Sequence, residues 1–153
     1  YKRLMPGYEA PVYVHWARKS RTALVRLPAY RPGSENAIRA ELRSPDGACN
    51  PYLAFSAILM AMLDGIQNKV DPGDPLDKNI YDLPPEELAK VPSAPGSLEE
   101  ALNCLKADHE FLMKGDVFTQ DVLDMWAEYK TANEIDPVRL RPHPHEFYLY
   151  FDM

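Results

Sequence analysis

The sequence predicts an α+β chain with short strands first and helices after. The first 43 residues hold two runs rich in β-branched and aromatic residues, the composition of strands, and a third run of sharp alternation. The 15 prolines leave two long gaps, Pro51 to Pro72 and Pro95 to Pro137, and long helices fit only there. At 46% apolar and 26% charged, 153 residues suit one globular domain, at most with a small appendage, and argue against disorder.

In chain order, residues 1–11 form a Pro/Gly-punctuated loop. Residues 12–16 (VYVHW) and 22–27 (TALVRL) read as strands joined by a polar connection, and 28–36 reads as a loop. Residues 38–43 are the third strand, with Arg39, Glu41 and Arg43 on one face and Ile38, Ala40 and Leu42 on the other. Ser44-Pro45-Asp46-Gly47 is a turn. Asn50 caps a helix with Pro51 at its first position, and its apolar run Tyr52 to Leu63 predicts a buried helix.

Residues 71–85 are irregular. Ser97-Leu98-Glu99-Glu100 has capping-box spacing ahead of Ala101, Leu102 and Leu105. Gly115 separates that helix from one capped by Thr119 and burying Val122, Trp126 and Tyr129. Residues 139–153 read as an extended tail whose aromatic run Phe147 to Phe151 needs a packing partner. The expected organisation is 1–49 strands and site loops, 50–138 helical layer, and 139–153 docking tail.

The net charge of −6 is uneven. Residues 1–50 carry nine Lys/Arg against four Asp/Glu, while 51–153 carry eight against nineteen. A basic first third suits a small phosphate- or carboxylate-bearing ligand, and the absence of a Lys/Arg run argues against nucleic acid. No 18-residue apolar window exists, so no membrane span is expected. Cys49 and Cys104 lack metal or redox spacing and read as reduced cysteines of a cytoplasmic protein. With Tyr1 in place of an initiating Met and no leader, the chain reads as cut from something longer.

Arg39-x-Glu41-x-Arg43 is the leading site candidate. A carboxylate between guanidinium groups can ligate a divalent cation while the arginines hold anionic oxygens. The alternative is a solvated sheet face laced with ion pairs. Arg3, Arg21 and Arg26 bring the arginines to five, and Arg suits bidentate anion binding. His143-Pro144-His145-Glu146 lacks helical metal spacing and reads as part of the tail. Tyr81 reads as an exposed loop tyrosine open to modification.

The segments 1–11 (YKRLMPGYEAP), 41–46 (ELRSPD), 50–55 (NPYLAF), 79–87 (NIYDLPPEE), 96–102 (GSLEEAL) and 141–144 (RPHP) closely resemble type I bacterial glutamine synthetase. The resemblance runs nearly end to end and covers the C-terminal third of that enzyme. It implies antiparallel strands of a glutamine synthetase/guanido kinase-like catalytic barrel, followed by the helical layer and tail. It also implies ATP-dependent ligation of ammonia to L-glutamate through γ-glutamyl phosphate, with Mg2+ (or Mn2+).

By the same resemblance, Glu41 is a metal ligand, and Arg3, Glu9, Arg21 and Arg43 hold glutamate. Arg21, Arg26 and Arg39 face the ATP phosphates. Glu9 and Arg21 are catalytic, Glu9 lying on a flap that closes the site and receives the ammonium proton. Tyr81 matches a tyrosine modified by an adenylyltransferase. The implied assembly is a homo-oligomer, dodecameric in the family, and the segment alone is expected to be inactive.

Three departures from the family pattern stand out: Lys19-Ser20-Arg21-Thr22 for Arg-Asn-Arg-Ser, Ala40 for a larger aliphatic, and Gly47 for proline. A glutamate–amine or polyamine ligase, and a non-catalytic structural relative, are the alternatives. Retention of all seven ionic residues weighs against the second.

Overall fold

The computed structural model describes residues 3–7 and 9–152. Tyr1, Lys2, Tyr8 and Met153, parts of the expected opening loop, flap and tail, lie outside the described residues. The chain divides into two compact units, Tyr1–Gly96 and Ser97–Met153.

In the first unit β1 (Trp16–Arg18), β2 (Val25–Leu27) and β3 (Glu41–Leu42) form one sheet in that order. The strands come where expected but are shorter. The first starts late because residues 12–14 pair elsewhere: Val14 N donates to Pro92 O at 2.7 Å, and Ala94 N to Val12 O at 2.7 Å. Tyr13 bridges Ser93.

The expected antiparallel arrangement holds only for β2 and β3, where Arg26 faces Glu41; β1 and β2 run parallel, Trp16 facing Val25. The reason lies in the connection. Lys19 takes a left-handed φ of 70°, and the looped chain returns its Leu24 and Val25 N–H groups to His15 O. Residues 38–40 fall outside β3, and Ile38 and Leu42 are exposed, so the face opposite Glu41 is not a packed one.

α1 (Pro51–Gln67) begins as predicted. The Asn50 side chain accepts from Tyr52 N at 3.0 Å and Leu53 N at 3.3 Å, satisfying two of the helix's orphan donors. Asn50→Ala is expected to lower stability by about 1 kcal/mol in denaturant unfolding. The predicted burial is not observed. Met60 alone is buried, and Tyr52, Phe55, Leu59, Met62 and Ile66 are exposed. Strands of two or three residues offer too little surface to cover a mostly apolar helix of 17.

The chain then crosses back under β1. Leu76 N donates to Trp16 O at 2.9 Å, and Asp77 binds Arg18 through its backbone N at 2.6 Å and guanidinium at 3.2 Å. A 3₁₀ turn, Ile80–Asp82, and a short α2 (Pro85–Leu88) follow. The core of this unit is Pro11, Val12, Ala17, Ala23, Met60 and Ile80.

The second unit is helical: α3 (Leu98–Ala107), α4 (Glu110–Met113), α5 (Gln120–Lys130), a π-helical turn Thr131–Ile135, α6 (Asp136–Arg139) and α7 (Pro144–Tyr150). Ser97 caps α3 by accepting from Glu100 N at 3.1 Å. Gly115, at φ 67°, makes the break before α5. Thr119 occupies the N-cap of α5 without a capping hydrogen bond. The buried residues of α5 are Leu123 and Ala127, one position on from the expected Val122 and Trp126, and Tyr129 is exposed.

The expected extended tail is instead helical over Pro144–Tyr150. His143 Nδ1 accepts from His145 N, and Glu146 Oε2 accepts from His143 N, each at 3.1 Å. This is a capping box with Pro144 at the first helical position, so the His/Pro run starts a helix. No helix among the described residues is long and apolar enough to cross a membrane.

Candidate functional site

The pairing of β2 with β3 sets Arg26 opposite Glu41, and the short step from Arg39 to Glu41 supplies a second guanidinium. Glu41 Oε2 accepts from Arg26 Nε at 2.9 Å and Nη2 at 2.6 Å. Glu41 Oε1 accepts from Arg39 Nη2 at 2.9 Å and Nε at 3.2 Å. Each arginine grips one carboxylate oxygen. The hydrogen bond from Arg26, then that from Arg39, hold the carboxyl below its usual pKa against the opposing effect of burial. The Glu41 side chain is 27% exposed and Arg39 59%, so the cluster is open on the Arg39 side.

Arg43 follows on β3's trailing edge and binds backbone. Its Nη1 donates to the carbonyls of Arg21 and of Ala23 (3.2 Å), and its Nη2 donates to Glu9 O at 3.2 Å. Burial first, and then the neighbouring Arg26 charge, lower its pKa. Arg21 Nη1 lies 3.6 Å from Glu9 Oε1, both side chains largely exposed. Six of the predicted residues thus fall into two contact groups, Arg26–Glu41–Arg39 and Arg43–Glu9–Arg21, while Arg3 binds the Ser44–Asp46 turn. Such an arrangement can bind and orient anionic oxygens.

Tyr81 does not join them. Its ring meets Tyr13 edge-on at 6.3 Å. Its hydroxyl is buried without a hydrogen-bond partner among the described residues, contrary to the exposed loop tyrosine expected. The 3₁₀ turn around it is anchored by Ile80, which is 0% exposed. A loop composition predicted exposure, but the loop is pinned along residues 12–18.

His15 went unnoticed as a titrating group. Its Nδ1 contacts Tyr13 O at 3.1 Å, and its Nε2 is buried without a partner among the described residues. Burial pushes its pKa below the ordinary 6.5, outweighing the Tyr13 carbonyl. With the folded pKa depressed, the unfolded chain takes the proton first. The stabilisation is complete above pH 6.5 and is lost as pH falls through the folded-state value. Unfolding free energies measured by denaturant titration are expected to fall on acidification below 6.5, and less steeply for His15→Gln.

No group of three or more His, Cys, Asp or Glu able to hold a metal occurs among the described residues. Glu41 is the one carboxylate between Arg26 and Arg39, and both its oxygens are taken. These residues alone do not fit a metal centre.

A family model described as glutamine synthetase, catalytic domain, matches residues 1–150. Glutamine synthetase of Frankia alni is 58% identical over all 153 residues, which span 32% of its length. That of Aquifex aeolicus is 56% identical over the same span, again 32% of its length. Among solved structures, Plasmodium falciparum glutamine synthetase aligns with 97% of this chain and 36% of its own, at TM-score 0.83 and 25% identity. A GmaS/ADP complex aligns with 92% of this chain and 29% of its own, at TM-score 0.73 and 34% identity. The chain therefore spans about a third of the length of the curated relatives it matches.

Proposed function

Because the chain belongs to the glutamine synthetase catalytic-domain family, we propose that it is the C-terminal part of that domain and serves ATP-dependent ligation of ammonia to L-glutamate in the full-length protein. The observation carrying this is the Arg26–Glu41–Arg39 pairing with Arg43, Arg21 and Glu9 beside it. The glutamate γ-carboxylate attacks the γ-phosphorus of ATP and ADP leaves. Ammonia then attacks the acyl carbon and phosphate leaves.

Both steps move charge between oxygens, so fixed cations do most of the work. Arg26 and Arg39, with Arg21, face the phosphates. Arg3 and Arg43 hold glutamate. Glu9, held beside Arg21, takes the proton of the incoming ammonium and closes the site against water. A divalent ion, Mg2+ or Mn2+, would supply charge neutralisation for the phosphates, and Glu41 is the one ligand this chain offers.

The three-stranded sheet is read as part of the catalytic barrel, and the exposed apolar faces of α1 and α7 as surfaces covered in a homo-oligomer, dodecameric as in the family. Tyr81 is a candidate site for an adenylyltransferase only with its turn lifted, because its hydroxyl is buried here; the cytoplasm is the expected compartment. The ADP of the GmaS complex supports the nucleotide reading. A second reading is a ligase of the same family that joins glutamate to a larger amine.

The test is γ-glutamyl hydroxamate formation by the full-length protein from ATP, glutamate and hydroxylamine, followed by ammonia against larger amines. ATP- and glutamate-dependent product is expected, with ammonia preferred. No product would remove the ligase reading, and the 153-residue chain alone is expected to form none.

A further inference from the structure

The turn after β3 does something for Arg3 that neither partner's sequence context announces. Arg3 Nη2 donates to Ser44 O at 2.9 Å and to Pro45 O at 3.3 Å, and its Nε lies 3.8 Å from Asp46 Oδ2. The other Asp46 oxygen, Oδ1, accepts from Ala48 N at 2.8 Å and so closes the turn that presents those carbonyls. One carboxylate thus shapes the turn with one oxygen and faces the guanidinium with the other. Nη1 of Arg3, with two N–H groups, donates no hydrogen bond among the described residues. Arg3 and Asp46 also line a cavity of about 460 Å³ whose other walls include the apolar Leu4, Val14, Leu24 and Ala94.

We propose that Asp46 is a positioning residue: with the carbonyls of Ser44 and Pro45 it holds the Nε/Nη2 side of Arg3, so that Nη1 is presented to a substrate carboxylate. This rests on the reading of Arg3 as a glutamate holder. A long arginine side chain loses rotamer freedom when it binds an anion, and a turn that fixes it beforehand removes part of that cost. The Asp46 charge also offsets the Arg3 charge beside apolar walls before substrate arrives.

The experiment uses the full-length protein. Asp46→Asn keeps an oxygen for Ala48 N–H and deletes the charge facing Arg3. It is expected to raise KM for glutamate about three- to fivefold, the scale of one exposed ion pair. The value of kcat, KM for ATP and the melting temperature should stay near wild type. Asp46→Glu should bring KM for glutamate back toward wild type, and Arg3→Lys should cost less in the Asp46→Asn background than alone.

An unchanged KM for glutamate in Asp46→Asn overturns the proposal. So does a joint shift of both KM values and the melting temperature, which marks a merely structural turn. A glutamate-binding isotherm on the same variants separates the two levels. A wild type that binds glutamate without turning over fails the ligase reading alone, and Asp46→Asn is then judged on the isotherm. One that neither binds nor turns over ends both.

Discussion

Glu41→Gln in the full-length protein is expected to lower ATP- and glutamate-dependent turnover by about a hundredfold without unfolding the chain. Glutamine keeps the shape and one acceptor oxygen, so β3 and its register with Arg26 persist. What disappears is the negative charge that two guanidinium groups share, Arg26 through Oε2 and Arg39 through Oε1. A neutral amide offers Arg26 or Arg39 an N–H where it had an oxygen, and the two cations, no longer held to one centre, separate.

Because phosphoryl transfer depends on cations already in place, loss of their spacing falls on kcat as well as on KM for ATP. Glu41→Asp keeps the charge on a shorter stem and should fall between the two. Steady-state hydroxamate assays, with circular dichroism to confirm the fold, read the effect. Turnover within a few-fold of wild type would mean that the cluster is only a solvated ion-pair network.

How far this site was legible before the structure depends on which contacts are local. Arg39, Glu41 and Arg43 alternate along the chain with the period of two, although only Glu41 lies within β3, and the contact with Arg26 comes from the adjacent β2. Two features were not legible. The period says nothing of Arg43 reaching past its own strand to the carbonyls of Glu9, Arg21 and Ala23. Nor does it reveal the parallel return of β2, which depends on one left-handed residue, Lys19, in a connection whose composition is unremarkable.

The caps illustrate the same limit. Asn50-Pro51 and Ser97-x-x-Glu100 were readable because capping is local chemistry. His143 is capped just as locally, yet alternating His/Pro obscured it. Burial is the least local property. A mostly apolar α1 reports that it needs cover, not what supplies it. Tyr81, drawn from a turn-rich loop, has its hydroxyl buried because residues 76–94 are tied along the edge of the sheet.

That tie makes Ile80→Ala the second large effect, an expected loss of about 3 kcal/mol. Ile80 is 0% exposed and is among the largest fully buried side chains. It belongs to a single-turn 3₁₀ helix whose own hydrogen bonds are few, with Asn79 accepting from Tyr81 N at 3.3 Å. The segment is held at its flanks by Leu76 to Trp16, Asp77 to Arg18 and Tyr13 to Ser93. Between those anchors Ile80 and the Tyr13–Tyr81 ring contact are the packing that keeps the turn down.

Removing three carbons there leaves a void that a turn this short cannot close by shifting, because the flanking backbone bonds fix its ends. The loss should therefore appear locally first. Hydrogen exchange in the full-length protein is expected to speed up across residues 76–94 before the rest of the chain responds. The Tyr81 ring, whose hydroxyl gains no hydrogen bond by staying buried, should become open to nitration in the same variant. Faster exchange spread evenly over the chain, with Tyr81 still protected, would show instead that Ile80 supports the whole unit and that the turn is not separately held.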